Sequence, residues 1–190
     1  MITWKDVMKF SLRENPTIFD VGGFLGDWTE EALKYHPTAT VYVFEPVAAY
    51  YEIIKSRYVG NSNVRVFNFG LSNETKSIDI SVGGDASSTH RTVGNTERIR
   101  LKNISEFVKE ENVEIIDLIK INIEGEEYPL LEWMIASDDL LMFNNFLIQF
   151  HPFVDNFANR RLYIQEELVK KNYQQIFNFE MIFEGWRTKN

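Results

Sequence analysis

The chain lacks cysteine throughout its 190 residues. Disulfide bonds, zinc–thiolate sites and thiol nucleophiles are therefore excluded. Positive charge is also scarce, because 20 Lys and Arg residues stand against 28 Asp and Glu, which gives a formal net charge of −8. Proteins that bind nucleic acid generally carry a basic surface, so this balance argues against a nucleic-acid partner.

Long apolar runs are missing as well. No stretch approaches the roughly 20 residues that a membrane-spanning helix requires, and the first 15 residues lack the apolar core of a signal peptide. We therefore expect a cytoplasmic protein without a membrane span. The spacing of Trp4, Val7, Met8 and Leu12 predicts a short amphipathic helix within residues 1–16. With 44% hydrophobic and 25% charged residues, the composition is typical of one globular domain over residues 1–190.

One stretch organises the rest of the chain, namely TIFDVGGFLGDWT at residues 17–29. Residues 18–21 are typical of a short buried strand, and Gly22, Gly23 and Gly26 favour a turn that lets the backbone approach a ligand. Asp27 is predicted to cap a helix, with Glu30 completing a capping box. Strand, glycine turn and helix together open a nucleotide-binding α/β fold.

The kind of nucleotide is indicated by Asp20, at the end of that first strand. The glycine spacing does not match the G-x-G-x-x-G pattern of a dinucleotide site. A carboxylate here would repel a pyrophosphate, whereas it would attract the sulfonium and ammonium groups of S-adenosylmethionine. We therefore predict that Asp20 and the three glycines bind this cofactor. The alternative is that Asp20 only accepts hydrogen bonds from loop N–H groups.

Two further strand ends supply candidates for the cofactor site. The β-branched and aromatic run at residues 40–44 predicts a second strand, and Glu45 follows it where a ribose diol is usually held. A carboxylate can accept hydrogen bonds from both hydroxyls. Residues 63–69 predict a third strand, and the loop after it would border the adenine. Asn68, Gly70 and Leu71 are the candidates in this loop.

A β insertion is predicted over residues 76–103. Residues 76–82 and 98–102 alternate polar and apolar side chains, as half-exposed strands do. Between them, residues 83–95 are polar and glycine-rich, which favours a mobile loop that covers the substrate. His90 and Arg91 of this loop are candidate substrate-binding residues.

Proton transfer requires a base, and two candidates follow central strands. Residues 115–123 form the most apolar run and lead to Glu124, and residues 144–150 form another that leads to His151. Because open α/β sheets bind ligands at the carboxyl ends of their strands, both side chains should reach one acceptor hydroxyl. An ordinary histidine pKa of ~6.5 suits a base at neutral pH. We predict that His151 takes the proton while Glu124 orients the hydroxyl or the imidazole, although the roles could be exchanged.

Structural roles are the alternatives for both residues: His151 as a strand-end residue beside Pro152, and Glu124 as an acceptor for loop N–H groups. Gln149, in register with His151, is a candidate for substrate contact. Asn122, Glu124 and His151 could in principle ligate a hard cation. Mg²⁺ prefers carboxylates and water, however, and one carboxylate is too few, so no metal is predicted.

The order of predicted elements is β-α-β-α-β, an insertion, and then β-α-β-α-β-β, which indicates a doubly wound sheet with antiparallel strands late in the chain. Four segments in this order resemble the FkbM-type methyltransferase family: IFDVGGFLG, VFEP, FGLS and LIKINIEG, at residues 18–26, 43–46, 69–72 and 118–125. The resemblance implies a class I, Rossmann-like methyltransferase fold with a mostly parallel seven-stranded sheet and a terminal antiparallel hairpin.

The same resemblance implies an S-adenosylmethionine-dependent O-methyltransferase of polysaccharide or natural-product pathways, whose acceptor is a hydroxyl of a sugar, glycan or related small molecule. It implies that Asp20 and Gly22 lie at the methionine part of the cofactor and Glu45 at the ribose. Residues 120–125 would lie beside the transferred methyl, which adds Lys120 as a substrate contact and Asn122 as a cofactor contact.

Two positions depart from the family pattern. Asn122 stands where the family usually has Asp, and Phe24 stands where it often has Asn. The first change removes a carboxylate and the second removes a polar contact to the cofactor, so a module that binds S-adenosylmethionine or S-adenosylhomocysteine without catalysis is the main alternative. An NAD-dependent oxidoreductase is a third reading, which Asp20 and the glycine spacing disfavour.

Overall fold

A computed structural model of the chain describes residue 8 and residues 10–83, 86–88, 95–179 and 183–189. In chain order its elements are β1 (Thr17–Val21), α1 (Asp27–Tyr35), β2 (Thr40–Phe44), α2 (Ala48–Arg57), β3 (Val64–Phe67), β4 (Gly70–Ser72), β5 (Lys76–Gly83), β6 (Ala86–Ser88), β7 (Asn95–Asn103), α3 (Ile104–Glu110), β8 (Leu118–Ile121), α4 (Glu127–Ala136), a 3₁₀ helix (Asp139–Met142), β9 (Asn145–Ile148), α5 (Phe157–Lys170), β10 (Tyr173–Phe179) and β11 (Phe183–Thr188).

The main sheet has seven strands in the order β10-β11-β9-β8-β1-β2-β3. The five strands from β9 to β3 run parallel, while β11 pairs antiparallel with both β9 and β10. Strands β8 and β9 are buried at every position, because a parallel sheet between two helical layers is covered on both faces. This sheet confirms the predicted class I methyltransferase architecture with its terminal antiparallel hairpin.

A second sheet of four strands, in the order β4-β7-β5-β6, is inserted after β3. It includes the predicted insertion but begins earlier, because Gly70 to Ser72 form β4 instead of a loop. Ile78 of β5 lies directly opposite Ile99 of β7 in the antiparallel register. Side chains alternate between the two faces of a strand, so the apolar residues of β5 and β7 share one face of this sheet.

Helix α1 begins differently from the prediction. Its cap is Gly26, in the left-handed conformation with a φ of 84°, and no side chain caps it. The predicted capping box is therefore wrong. The carboxylates of Asp27 and Glu30 instead form ion pairs with Arg57 of α2, and the Asp27 pair measures 2.6 Å. By contrast, α3 has a side-chain cap, because the Asn103 side chain accepts hydrogen bonds from two backbone N–H groups.

The N-terminal prediction fails where it can be checked. Residues 10–16 contain no helix, and Met8 and Phe10 pack into the core beneath the sheet. The remainder of the predicted helix lies outside the described residues. The same holds for most of the predicted substrate loop, including His90 and Arg91. In the described part of the chain, no helix has the length and apolar character to cross a bilayer.

Candidate functional site

A cleft with a cavity volume of about 160 Å³ opens at the carboxyl ends of β1, β2 and β8, between the main sheet and the inserted sheet. Ligands bind at this edge in open α/β sheets. Six of the predicted site residues line the cleft: Gly22, Glu45, Gly70, Leu71, Asn122 and Glu124. The other lining residues are Phe24, Pro46, Val47, Tyr50, Ile78, Ile80, Ile99, Leu101, Ile123 and Glu126.

The three glycines of the turn have different roles. Gly22 lines the cleft at a φ of 86°, and a Cβ atom there would lie 2.0 Å from the carbonyl oxygen of Asn122. Gly23 is required for packing, since its Cβ would lie 2.4 Å from Cγ1 of Val43, and it does not line the cleft. Gly26 starts α1. Only Gly22 is therefore placed for a direct ligand contact.

Asp20 does not reach the cleft. It is fully buried directly opposite Lys120 in the β1–β8 register, and the two side chains form an ion pair of 2.8 Å. The other carboxylate oxygen accepts a hydrogen bond of 2.6 Å from Thr29. Lys120 also donates to the carbonyl oxygen of Gly22 at 2.5 Å. The pair therefore holds the glycine turn in place, and Lys120 is too buried to make the predicted substrate contact.

Glu45 is positioned in the cleft by its own loop. Its two carboxylate oxygens accept hydrogen bonds from the backbone N–H groups of Phe24 and Val47, at 2.8 and 2.9 Å. Burial raises the pKa of Glu45 to about 7, and these hydrogen bonds oppose that rise. Asn68, predicted to border the adenine, instead donates to the carbonyl oxygens of Glu45 and Pro46 and so supports this loop from outside the cleft.

Asn122 supplies a buried hydrogen-bond acceptor that has no partner in the described part of the chain. Its Oδ1 atom is buried in the wall of the cleft and has no hydrogen-bond partner among the described residues. An unpaired buried acceptor costs about 1–3 kcal/mol, so such atoms are commonly satisfied by a ligand or by water. Together with the close backbone approach at Gly22, this atom fits a site that receives a polar cofactor.

Glu124 and His151 are brought together, as the sequence predicted, but by an unexpected backbone path. Strand β8 ends at Ile121, and Glu124 has a φ of 54°, so residues 122–124 do not continue as a strand. This turn places Glu124 in the cleft wall, with Oε1 at 3.4 Å from Nε2 of His151. His151 itself is buried behind Glu124 and does not line the cleft.

Glu127, which the sequence analysis missed, completes this group. It is fully buried in the first turn of α4, and one oxygen accepts hydrogen bonds from both the backbone N–H and Nδ1 of His151, at 2.8 and 3.0 Å. Its second oxygen accepts from the N–H of Gly125 at 2.8 Å. The sequence position of Glu127 was one indication, because carboxylates are favoured at helix N-termini. The same position also suits an ordinary exposed acid, so it does not identify a buried one.

The two carboxylates change the protonation of His151. Desolvation alone would lower the pKa of the imidazole, but the hydrogen bonds and negative charges of Glu124 and Glu127 raise that pKa to about 9. The expectation of an ordinary histidine pKa is therefore wrong. With this pKa, His151 carries a proton at neutral pH and is a cation between two carboxylates.

Among the described residues, the remaining predicted contact, Gln149, is absent from the cleft. Gln149 follows β9 and donates its backbone N–H to Ile121, but it does not line the cavity. In the described ranges of the chain, no group of three or more Asp, Glu or His side chains could hold a metal ion.

The apolar wall from the inserted sheet was not predicted as part of the site, since strand periodicity does not show which face meets a ligand.

Several solved structures share this fold, including the following three. M. capricolum TrmK in complex with S-adenosyl-homocysteine is 16% identical, with 98% of this chain and 68% of that chain covered and a TM-score of 0.55. An rRNA methylase from Streptococcus thermophilus is 12% identical, with 98% and 94% covered and a TM-score of 0.56. Methanococcus jannaschii fibrillarin, a pre-rRNA processing protein, is 10% identical, with 98% and 76% covered and a TM-score of 0.56.

The sheet order is that of class I methyltransferases, and the family model defines the chain as a member of the S-adenosylmethionine-dependent methyltransferases. The model of the methyltransferase FkbM domain matches residues 20–174, and the chain belongs to this family. The resemblance seen in the sequence is thereby confirmed, as is S-adenosylmethionine as the cofactor. No curated protein matches the chain in a sequence comparison.

Proposed function

We propose that this chain transfers a methyl group from S-adenosylmethionine to a hydroxyl oxygen of a sugar, a glycan or a related small molecule. The observation that carries the proposal is the position of Glu124. Its carboxylate lies in the same cleft wall as Gly22, Glu45 and Asn122, so a proton acceptor and the cofactor-binding groups face one cavity.

The cofactor would be held by three features of this chain. Glu45 would accept hydrogen bonds from the ribose hydroxyls, Gly22 would allow close approach of the backbone, and Oδ1 of Asn122 would accept a hydrogen bond from a cofactor donor. When bound, S-adenosylmethionine supplies a methyl group on a positively charged sulfur, which departs as a neutral thioether when an acceptor oxygen displaces it.

Glu124 would bind the acceptor hydroxyl and remove its proton. The new bond joins the acceptor oxygen to the methyl carbon, the pair of the broken carbon–sulfur bond goes to sulfur, and the hydroxyl proton goes to Glu124. His151 would hold the carboxylate of Glu124 in position through the 3.4 Å contact at Nε2. Glu127 in turn fixes the imidazole and keeps it charged. This assignment exchanges the two roles that the sequence first suggested.

Transfer of labelled methyl from S-adenosylmethionine tests the proposal, with a panel of neutral glycosides, phenols, sugar nucleotides and a short RNA as acceptors. For an accepted compound, Glu124→Gln should lower turnover by ~10²–10⁴-fold, the usual contribution of a general base, and should leave S-adenosylhomocysteine affinity unchanged. Glu114→Gln, which removes an exposed carboxylate, is the matched control.

Two outcomes would count against the proposal. Full turnover in the Glu124→Gln variant would show that this carboxylate is not the proton acceptor. Tight binding of S-adenosylhomocysteine by the wild-type chain without transfer to any compound of the panel would favour the non-catalytic binding module instead.

A further inference from the structure

Three carboxyl side chains line the cleft, and burial raises the pKa of one of them, Glu45, to about 7. Glu45, Glu124 and Glu126 all line it, and no Lys or Arg is among the described residues that do so. Two buried cations lie behind the cleft, and both are paired: Lys120 with Asp20 beneath the glycine turn, and His151 with the two carboxylates of Glu124 and Glu127. A bound anion would therefore meet carboxylates without a compensating positive side chain in the described cleft wall.

Two arginines of the inserted sheet lie on its other face. Lys76 of β5 is on the same face as Ile78, but it does not line the cleft and pairs with Glu74 at 2.8 Å. Arg98 and Arg100 of β7 alternate with the cleft-lining Ile99 and Leu101, and both are exposed. Arg98 pairs with Asp79 across the strands at 3.5 Å. Because adjacent positions of a strand point to opposite faces, these guanidinium groups are directed away from the cleft and cannot neutralise an anion there.

The wall opposite the carboxylates is apolar. Ile78 and Ile80 of β5 and Ile99 and Leu101 of β7 line the cavity, and they pack with Val47 at the start of α2. These residues lie close together in the antiparallel register of the two strands. Aliphatic side chains at this position contribute binding energy to a ligand with an apolar body, and they offer no hydrogen bonds to a phosphate or a sugar hydroxyl.

We propose that the acceptor is an uncharged compound with an apolar body, and that Glu126 is the specificity-determining residue that rejects phosphate-bearing acceptors, including nucleic acid. This inference rests on the proposed methyl transfer and narrows its acceptor class. Glu126 lines the cleft just after the turn that carries Glu124, and its Oε2 atom lies 3.5 Å from Oγ of the buried Ser72. At a separation near ~7 Å and an effective dielectric constant of about 40, one carboxylate disfavours an anion by about tenfold.

Two fluorescent probes with the same rings test the charge discrimination. N-phenylnaphthylamine is uncharged, whereas anilinonaphthalene sulfonate adds one negative group. In titrations of the full chain saturated with S-adenosylhomocysteine, we expect the uncharged probe to bind about tenfold or more tightly than the sulfonate. Glu126→Gln should reduce this ratio by about tenfold, while Glu114→Gln, an exposed change elsewhere, should leave it unaltered.

Each other outcome would overturn the inference. Equal or tighter binding of the sulfonate would refute the charge argument, and an unchanged ratio in Glu126→Gln would refute the role of Glu126. Failure of both probes to bind, or displacement of the uncharged probe by S-adenosylhomocysteine, would show that the apolar wall is not an acceptor site. Calorimetry with S-adenosylhomocysteine alone tests cofactor binding, on which the proposed function depends. If no binding is detected, the probe titrations can still be carried out on the protein without S-adenosylhomocysteine.

Discussion

The charged state of His151 makes stability depend on pH in a defined window. The imidazole is only 8% exposed, and its pKa is raised to about 9 by the flanking carboxylates of Glu124 and Glu127. In the unfolded chain the pKa returns to the ordinary ~6.5. The native state therefore binds the proton more tightly, and the stabilisation is fully present below pH ~6.5 and is lost as the pH rises through about 9.

The size of this effect follows from the shift. Each pKa unit corresponds to about 1.4 kcal/mol, so the rise to about 9 stabilises the native state by about 3 kcal/mol at low pH. Urea unfolding of the wild type and of His151→Gln, at several pH values between 6 and 9.5, measures it. The difference in unfolding free energy between the two proteins should shrink by about 3 kcal/mol across this range.

The comparison with His151→Gln cancels the titration of distant groups, so only the site of the imidazole contributes. An NMR titration provides an independent check, since the chain has three histidines. The His36 pKa is lowered by burial, whereas the His151 signal should titrate near 9 and vanish in the variant. A constant stability difference, together with a His151 signal that titrates near ~6.5, would refute the reasoning.

Three further predictions concern the cofactor and its supports. Glu45→Ala should weaken S-adenosylhomocysteine binding in calorimetry by about 1.5–3 kcal/mol, whereas Glu52→Ala on the exposed side of α2 should not; equal affinities would contradict the ribose assignment. Gly22→Ala should weaken S-adenosylhomocysteine binding and lower stability, because the added Cβ would clash with the Asn122 carbonyl oxygen. Gly60→Ala is the control, since Gly60 has a similar φ but no atom within 4 Å of an added Cβ. Equal effects of the two changes would refute the close-approach argument. Glu127→Gln should return the His151 pKa toward ~6.5 by NMR, and an unchanged value would show that Glu127 does not hold the charge.

Much of the main sheet was predictable because its signals are local. The glycine turn after β1, the β-branched run of β2 and the continuous apolar character of β8 each indicate an element on their own. The sheet order then follows from the family resemblance, and the structure confirms it. The predicted strand boundaries were less accurate. Strand β8 ends two residues before its predicted end, because the chain turns at Glu124, whose positive φ the sequence does not predict.

The charge pairs of the site could not be predicted from sequence alone. Asp20 and Lys120 are 100 residues apart and meet only because β1 and β8 are neighbours in a particular register. Because the sequence does not reveal this register, it could not distinguish Asp20 from an acid that contacts the cofactor. Likewise, the position of Glu127 in the first turn of a helix does not show that it turns inward toward His151, since an acid there is ordinarily solvated.

A crystal structure of the full chain with S-adenosylhomocysteine tests the central claim most directly. The ribose hydroxyls should lie within about 3 Å of the Glu45 carboxylate, Oδ1 of Asn122 should accept a hydrogen bond from the ligand, and the sulfur should face Glu124 across the cleft. S-adenosylhomocysteine bound outside this cleft, or bound with its ribose away from Glu45 while Oδ1 of Asn122 stays without a ligand contact, would contradict the account.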